Sequence, residues 1–192
     1  MTREPSSQGK PVRTGGQCIA WFIAACLLLT VGPVYAGGSF KTTTTLLRNQ
    51  EYAEALLKGI GNARESIVCS FYLFKITETR GNQPRRIAEE LIRARKRGVA
   101  VTIILEKGKN AQDKLYAENR DTAALLTRDG VNVFFAAPGV TTHNKIVVID
   151  RRYILLGSHN LTQGALRYNN ELSVLIDSPE MAAEVRAYLE RE

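Results

Sequence analysis

From Asn49 onward, helical and strand-like hydrophobic patterns take turns along the chain. Ala53, Leu56, Leu57 and Ile60 share one helical face, so a helix is predicted from an Asn49 N-cap to about Gly61. Ser66–Phe74 is nearly all apolar and reads as a buried strand. A second helix opens at Pro84, turns Ile87, Leu91 and Ile92 inward and stops at Gly98. Val99–Leu105 repeats the buried-strand pattern, and Glu106–Asn110 is a charged loop. Ala111–Arg128 predicts a third helix, Val131–Phe135 a strand, and Ala136–Thr142 a Pro/Gly loop. Asn144–Ile149 and Tyr153–Leu156 predict strands joined by a tight turn at Asp150-Arg151-Arg152, and Glu171–Ile176 is the last strand. Ser178-Pro179 begins a final helix with Met181, Val185 and Leu189 as its apolar stripe. Ahead of all this, Gly37–Thr45 reads as a polar, Thr-rich, extended lead-in. Alternating helices and strands followed by a hairpin predict an α/β domain, a mixed β-sheet flanked by helices on both faces. No repeat or internal linker divides residues 37–192, which read as one domain.

Residues 1–36 carry a different pattern. Lys10 and Arg13 precede an apolar run from Cys18 to Val31, interrupted only by Thr30. Gly32-Pro33 breaks it, and Val34-Tyr35-Ala36 offers small residues for cleavage after Ala36. The expectation is a secretory signal peptide, a secreted or periplasmic product, and no stable membrane partner once the leader is removed. Two alternatives stay open. The run could persist as an anchor, although it is short of the roughly 20 residues a spanning helix needs. Cys26 in Ile23-Ala24-Ala25-Cys26 could be lipidated, although the apolar stretch continues to Leu29. The formal net charge is +7, and a modest basic excess outlasts the leader, which suits a polyanionic partner without specifying one. Beyond the leader Cys69 is the lone cysteine, unable to form an intramolecular disulfide and placed in an apolar strand.

The chemistry concentrates between His143 and Asp150. A histidine and a lysine two residues apart on a strand present the same face, aiming a nucleophile and a phosphate-binding cation at one spot. A lysine in so apolar a strand costs free energy unless its charge faces a site or a partner. The plain alternative is an edge strand with Lys145 in solvent. The complete run is more specific: His143-x-Lys145 continues to Asp150, then to Gly157-Ser158-x-Asn160. It resembles the catalytic signature of the phospholipase D superfamily. Leu161-Thr162, Ala165 and Asn170-Glu171 downstream, and Arg97–Val101 upstream, extend the resemblance over nearly all of the chain beyond the leader.

The resemblance implies a phospholipase D/nuclease-like sandwich that hydrolyses phosphodiesters through a covalent phosphohistidine, with no cofactor and no metal. By it, His143 is the nucleophile, and Lys145 holds the non-bridging phosphate oxygens. Asn160 and Ser158 donate to the same oxygens, and Gly157 allows close backbone approach. Glu171 matches the acidic residue that hydrogen-bonds the far nitrogen of the histidine. Asp150 belongs to the motif and is counted with the catalytic residues, yet five positions past Lys145 it points to the opposite face and reads more as support for the turn or a local network than as a contact to phosphorus. The chain carries one copy of the motif, like the small bacterial endonucleases and the mitochondrial cardiolipin hydrolase/nuclease branch, which pair two subunits around one site. Attack and leaving-group protonation need two imidazoles. The chain has two histidines, and His159, between Ser158 and Asn160, points away from both and reads as structural or rim. The second imidazole is therefore expected from His143 of a homodimeric mate. The expected substrate is nucleic acid, DNA or RNA, cut with little sequence preference; the alternative is a phospholipid head group. A non-catalytic phosphate-binding module fits poorly with an intact catalytic set. Arg93, Arg95, Lys96 and Arg97, with Arg85 and Arg86, are candidates for backbone-phosphate contact or simply a solvated helix face.

Overall fold

The computed structural model describes residues 38–191 other than Ala111, so the leader reading lies outside the described residues. The chain divides into two units, Met1–Ser39 and Phe40–Glu192, and every strand and helix named below belongs to the second. The strands are β1 (Thr43–Arg48), β2 (Ser66–Phe71), β3 (Ala100–Leu105), β4 (Asn132–Phe135), β5 (Lys145–Ile149), β6 (Tyr153–Gly157) and β7 (Leu172–Asp177). The helices are α1 (Glu51–Asn62), α2 (Gln83–Lys96), α3 (Lys114–Arg128), α4 (Gln163–Arg167) and α5 (Pro179–Leu189). The strands form one sheet in the order β1-β7-β6-β5-β2-β3-β4. β2, β3 and β4 run parallel, joined by helical crossovers; β1, β7, β6, β5 and β2 pair antiparallel. This is the mixed sheet that the alternating pattern predicts.

Strand parity splits the apolar side chains between two cores. Ile67, Cys69 and Phe71 of β2, with Val147 and Ile149 of β5, pack beneath α1, α2, α3 and α4. Ile146 and Val148 of β5, with Ile154 of β6 and Ile176 of β7, pack against Ala182 and Leu189 of α5. β5 is buried along its whole length because both of its faces are covered. Four helices on one face and one on the other bear out the two-sided covering.

Several boundaries move for physical reasons. β1 is an edge strand, half threonine and exposed at every position but Leu47, so it lacks the apolar signal of the inner strands; its register comes from β7. β2 ends at Phe71, and Phe74 instead bridges to Leu161, which turns the chain toward α4. α3 starts at Lys114 because the Asp113 side chain caps it, accepting from the Leu115 amide at 3.0 Å. Asn49 is not the cap of α1: it has φ of 48°, and Gln50 precedes the helix without a side-chain cap. Cys69 is buried as expected, and burial pushes its thiol up to about 12.

Gly157 ends β6 where β7 crosses closest. A Cβ built on it overlaps the Ser173 side chain and backbone and the Leu172 carbonyl. The glycine is demanded by the neighbouring strand. Gly157→Ala is therefore expected to cost about 1–3 kcal/mol of stability, read as a lowered urea midpoint; an unchanged midpoint contradicts this packing.

Candidate active site

The site assembles at one end of the sheet, where β2 and β3 finish and β5 begins. Lys145 opens β5 opposite Phe71, the last residue of β2. Across β6, Gly157 faces Ser173 of β7, so Lys145, Ser158 and the start of β7 stand at one level. Lys145 is 7% exposed, and burial pulls its ammonium below the ordinary lysine range while the Glu171 charge pulls the other way. Its Nζ donates to the His143 carbonyl at 2.8 Å and lies 3.1 Å from Nδ1 of the His143 ring. Nζ is also 3.5 Å from Nε2, so the ammonium stands within reach of both ring nitrogens. His143 stands just outside β5, exposed at the strand's mouth.

Tyr72 is a member of this site that the sequence pattern did not reveal. Its ring packs on the His143 ring at 4.4 Å between centroids, and Lys145 Nζ sits 5.2 Å from its centre. Tyr72 lies past the end of β2, where hydrophobic alternation carries no information about direction. Its carbonyl accepts from Asn119 Nδ2 at 2.9 Å, and Asn119 Oδ1 accepts from the Phe74 amide, so buried Asn119 fixes the turn that aims the ring.

Ser158 Oγ donates to Glu171 Oε2 and accepts from the Leu172 amide. Asn169 Nδ2 donates to the other Glu171 oxygen at 3.1 Å. The donors on the Glu171 carboxylate among the described residues are Ser158 and Asn169 and not the His143 ring, and Glu171 reaches the site through its charge on Lys145. Asn160 is half-buried beside this loop, and its Oδ1 is buried without a partner among the described residues.

Asp150 does not join these residues. It ends β5, five residues and about 16 Å of strand from Lys145. Its carboxylate accepts the Arg64, Glu65 and Ser66 amides at 2.8–3.1 Å, tying the β5 turn to the entry of β2. Burial pulls its pKa up, but the backbone donors win and hold it below the usual carboxylate range. The contacts set Asp150 apart from the catalytic residues with which the motif counts it, because five strand positions carry it to the far end of β5.

His159 is fully buried. Its ring stacks on Tyr52, 4.4 Å between centroids and 7° from parallel. Nε2 lies 2.9 Å from the Asn49 carbonyl, which can only accept, so Nε2 carries the proton; Nδ1 lies 2.7 Å from Ser173 Oγ. Asn49 in turn exchanges hydrogen bonds with the Glu171 backbone through its own amide and Oδ1. His159 is a core histidine that braces the Glu171 loop.

Arg93, Arg95, Lys96 and Arg97, at the C-terminal end of α2, lie at the other end of the sheet, whereas Arg85 and Arg86 stand at the start of the helix, paired with Glu78 and Gln83. α2 leads into β3 at Ala100, opposite Ser66, the first residue of β2. Arg93 and Arg97 pair with Glu90, Arg97 also with the Ile60 carbonyl, Arg95 with the Gly130 carbonyl, and Lys96 with Asp129. These charges serve local packing. The cations exposed at the site end include Lys107 and Lys109, on the loop after β3, and Arg191, which lines a cavity of about 460 Å³ with Tyr188 and His143.

The placements of Asp150 and His159 each have a measurable consequence. Asp150→Asn weakens its backbone contacts, so stability drops by about 1–3 kcal/mol, while turnover per folded molecule stays within about 3-fold; a large loss of turnover at full stability contradicts a purely supporting role. Burial holds the His159 pKa below the ordinary range, opposed by the Asn49 bond and the Glu171 charge. The unfolded chain therefore binds more protons in mild acid. The stability that neutral His159 confers is complete above about pH 6.5 and lost as pH falls below it. The urea midpoint should fall from pH 7.5 to 5.5, and His159→Gln should flatten that slope.

The chain is similar to known proteins in sequence and in fold. A family model described as cardiolipin synthase, PLD-like domain, matches residues 56–192. A phospholipase D of Rickettsia bellii is 32% identical over 123 residues, covering 64% of this chain and 54% of that protein. A polyphosphate kinase of Vibrio vulnificus is 32% identical over 119 residues, covering 58% of this chain and 17% of the kinase. The chain thus spans about half of one relative and about a sixth of the other. The crystal structure of Nuc from Salmonella typhimurium, a phospholipase D family member, superposes with a TM-score of 0.64 at 21% identity, over 79% of this chain and 94% of that one. A matched region running from within α1 through α5, around an assembled His143-Lys145 pair, makes this chain a member of the phospholipase D-like domain family.

Proposed function

We propose that the chain is a metal-independent phosphodiesterase that cleaves nucleic-acid backbones through a phosphohistidine on His143, with His143 of a second copy as acid and base. One observation carries this reading: His143 is the lone imidazole at the site among the described residues, because His159 is locked in the core by Tyr52, Ser173 and Asn49. The first step forms a P–N bond from His143 to phosphorus as the P–O bond to the leaving group breaks. The leaving alkoxide takes a proton from the second imidazolium. In the second step water attacks phosphorus, the now neutral second imidazole takes its proton, and the P–N bond breaks to release the phosphate. Lys145, poorly solvated and therefore electrostatically strong, holds the non-bridging oxygens, with the Asn160 amide as a second donor, while Ser158, whose hydroxyl donates to Glu171, holds that carboxylate.

The exposed Lys107 and Lys109 support a polyanionic substrate, since neighbouring backbone phosphates need cations at the site end of the sheet. A phospholipid head group is the second reading. Exposed Val140 and Tyr188 beside His143, and the similarity to a protein named phospholipase D, favour it. We also infer that residues 1–36 direct export; recovery from the cytoplasm with Met1 attached would end that inference.

The test uses plasmid DNA, RNA and phosphatidylcholine vesicles with the purified protein. Nucleic acid should be cut in the presence of EDTA, and His143→Asn should lose about 10⁴-fold or more in turnover. Mixed dimers of wild-type and His143→Asn chains should lose most activity, because one site draws on both chains. Full turnover by a monomer, or EDTA inhibition reversed by a divalent metal, overturns the mechanism; cleavage of lipid alone transfers the reading to the second substrate.

A further inference from the structure

Glu106, the residue after β3, has a buried carboxylate that the proposed chemistry leaves unused. It is 6% exposed. No ion pair reaches it among the described residues, so its charge is met by backbone amides alone. Its Oε1 accepts from the Gly108 amide at 2.7 Å, and its Oε2 from the Thr142 amide at 2.6 Å. These donors belong to two different loops. Gly108, at φ of 74°, sits in the loop that carries Lys107 and Lys109. Thr142 immediately precedes His143. The Glu106 carbonyl also accepts from Asn119 Nδ2, the same amide group that holds the Tyr72 carbonyl. One residue is therefore bonded to the segment bearing the histidine, to the loop bearing the exposed lysines, and to the side chain that aims the tyrosine packed on the histidine.

A carboxylate kept in such a place without a cation is costly unless amides answer both oxygens. A residue kept only to fill space would not need the charge. A glutamine of the same shape would turn one NH₂ group toward a backbone N–H and release one of the two loops.

We propose that Glu106 is a positioning residue: its carboxylate joins the Gly108 loop to the Thr142-His143 segment and sets where the His143 ring stands. This rests on His143 being the nucleophile. On a small ester that does not reach Lys107 and Lys109, loss of the link misplaces the attacking ring, so the rate constant suffers while affinity does not.

The test is Glu106→Gln, assayed on bis(p-nitrophenyl) phosphate and followed by NMR of the imidazole C–H signals. The chain has two histidines, so each signal is assignable with one substitution. The variant should lose roughly 10–100-fold in kcat, with KM within about 3-fold of wild type. The His143 signal should move and the His159 signal stay. Wild-type kcat with an unmoved His143 signal overturns the proposal. A wild-type protein inactive on the ester counts against the phosphodiesterase reading, and the NMR comparison then decides the positioning role alone. If Glu106→Gln does not fold, hydrogen exchange of the wild-type amides decides: slow exchange at both Thr142 and Gly108 supports the link, and fast exchange at Thr142 overturns it.

Discussion

The arrangement of this domain depends on keeping one ammonium group poorly solvated at the mouth of a fully buried strand. Lys145 begins β5, whose neighbours on both sides and packing on both faces shut out water along its length. A lysine there loses hydration and must recover it from fixed partners. The His143 carbonyl and ring, the Tyr72 face and the Glu171 charge supply them. Each of these comes from a different segment, so holding the charge draws together the end of β2, the loop before β5 and the start of β7. A phosphate entering the site meets a cation that water does not screen.

The same strand separates chemistry from support. Lys145 and Asp150 lie at opposite ends of β5, and each end has its own set of hydrogen bonds. At the Asp150 end, backbone amides and the paired arginines of α2 lock helix ends to strand starts. At the Lys145 end, loops hold side chains apart with a buried asparagine, a buried histidine and a buried glutamate, each bonded to more than one other segment. Asn119, His159 and Glu106 are all polar and all inside. Their bonds rigidify loops that, left to themselves, have little apolar surface to hold them.

The two histidines show why residue identity alone does not assign a role. Both lie in motif segments, sixteen positions apart, and both carry the same ring. His143 stands exposed over a cation and beside a tyrosine; His159 is stacked, bonded at both nitrogens and closed to solvent. A ring with both nitrogens committed has no lone pair left for phosphorus.

The order of helices and strands, the mixed sheet and the pairing of His143 with Lys145 were legible in the sequence, because hydrophobic period and short-range spacing are local properties. So was the separate fate of Asp150, which comes from counting residues along a strand. β1 was not legible: an edge strand exposed at every position but Leu47 carries no burial signal, and β7 sets its register. Tyr72, Asn119 and Glu106 were not legible as parts of the site either. Their partners are distant in sequence, 47 residues apart for Tyr72 and Asn119 and 36 for Glu106 and Thr142, and only the tertiary fold brings them together. The partners of Glu171 and the locally paired charges of α2 were decided the same way. A side chain's direction past the end of a strand, and the neighbour that reaches a charge first, are set by packing between distant segments.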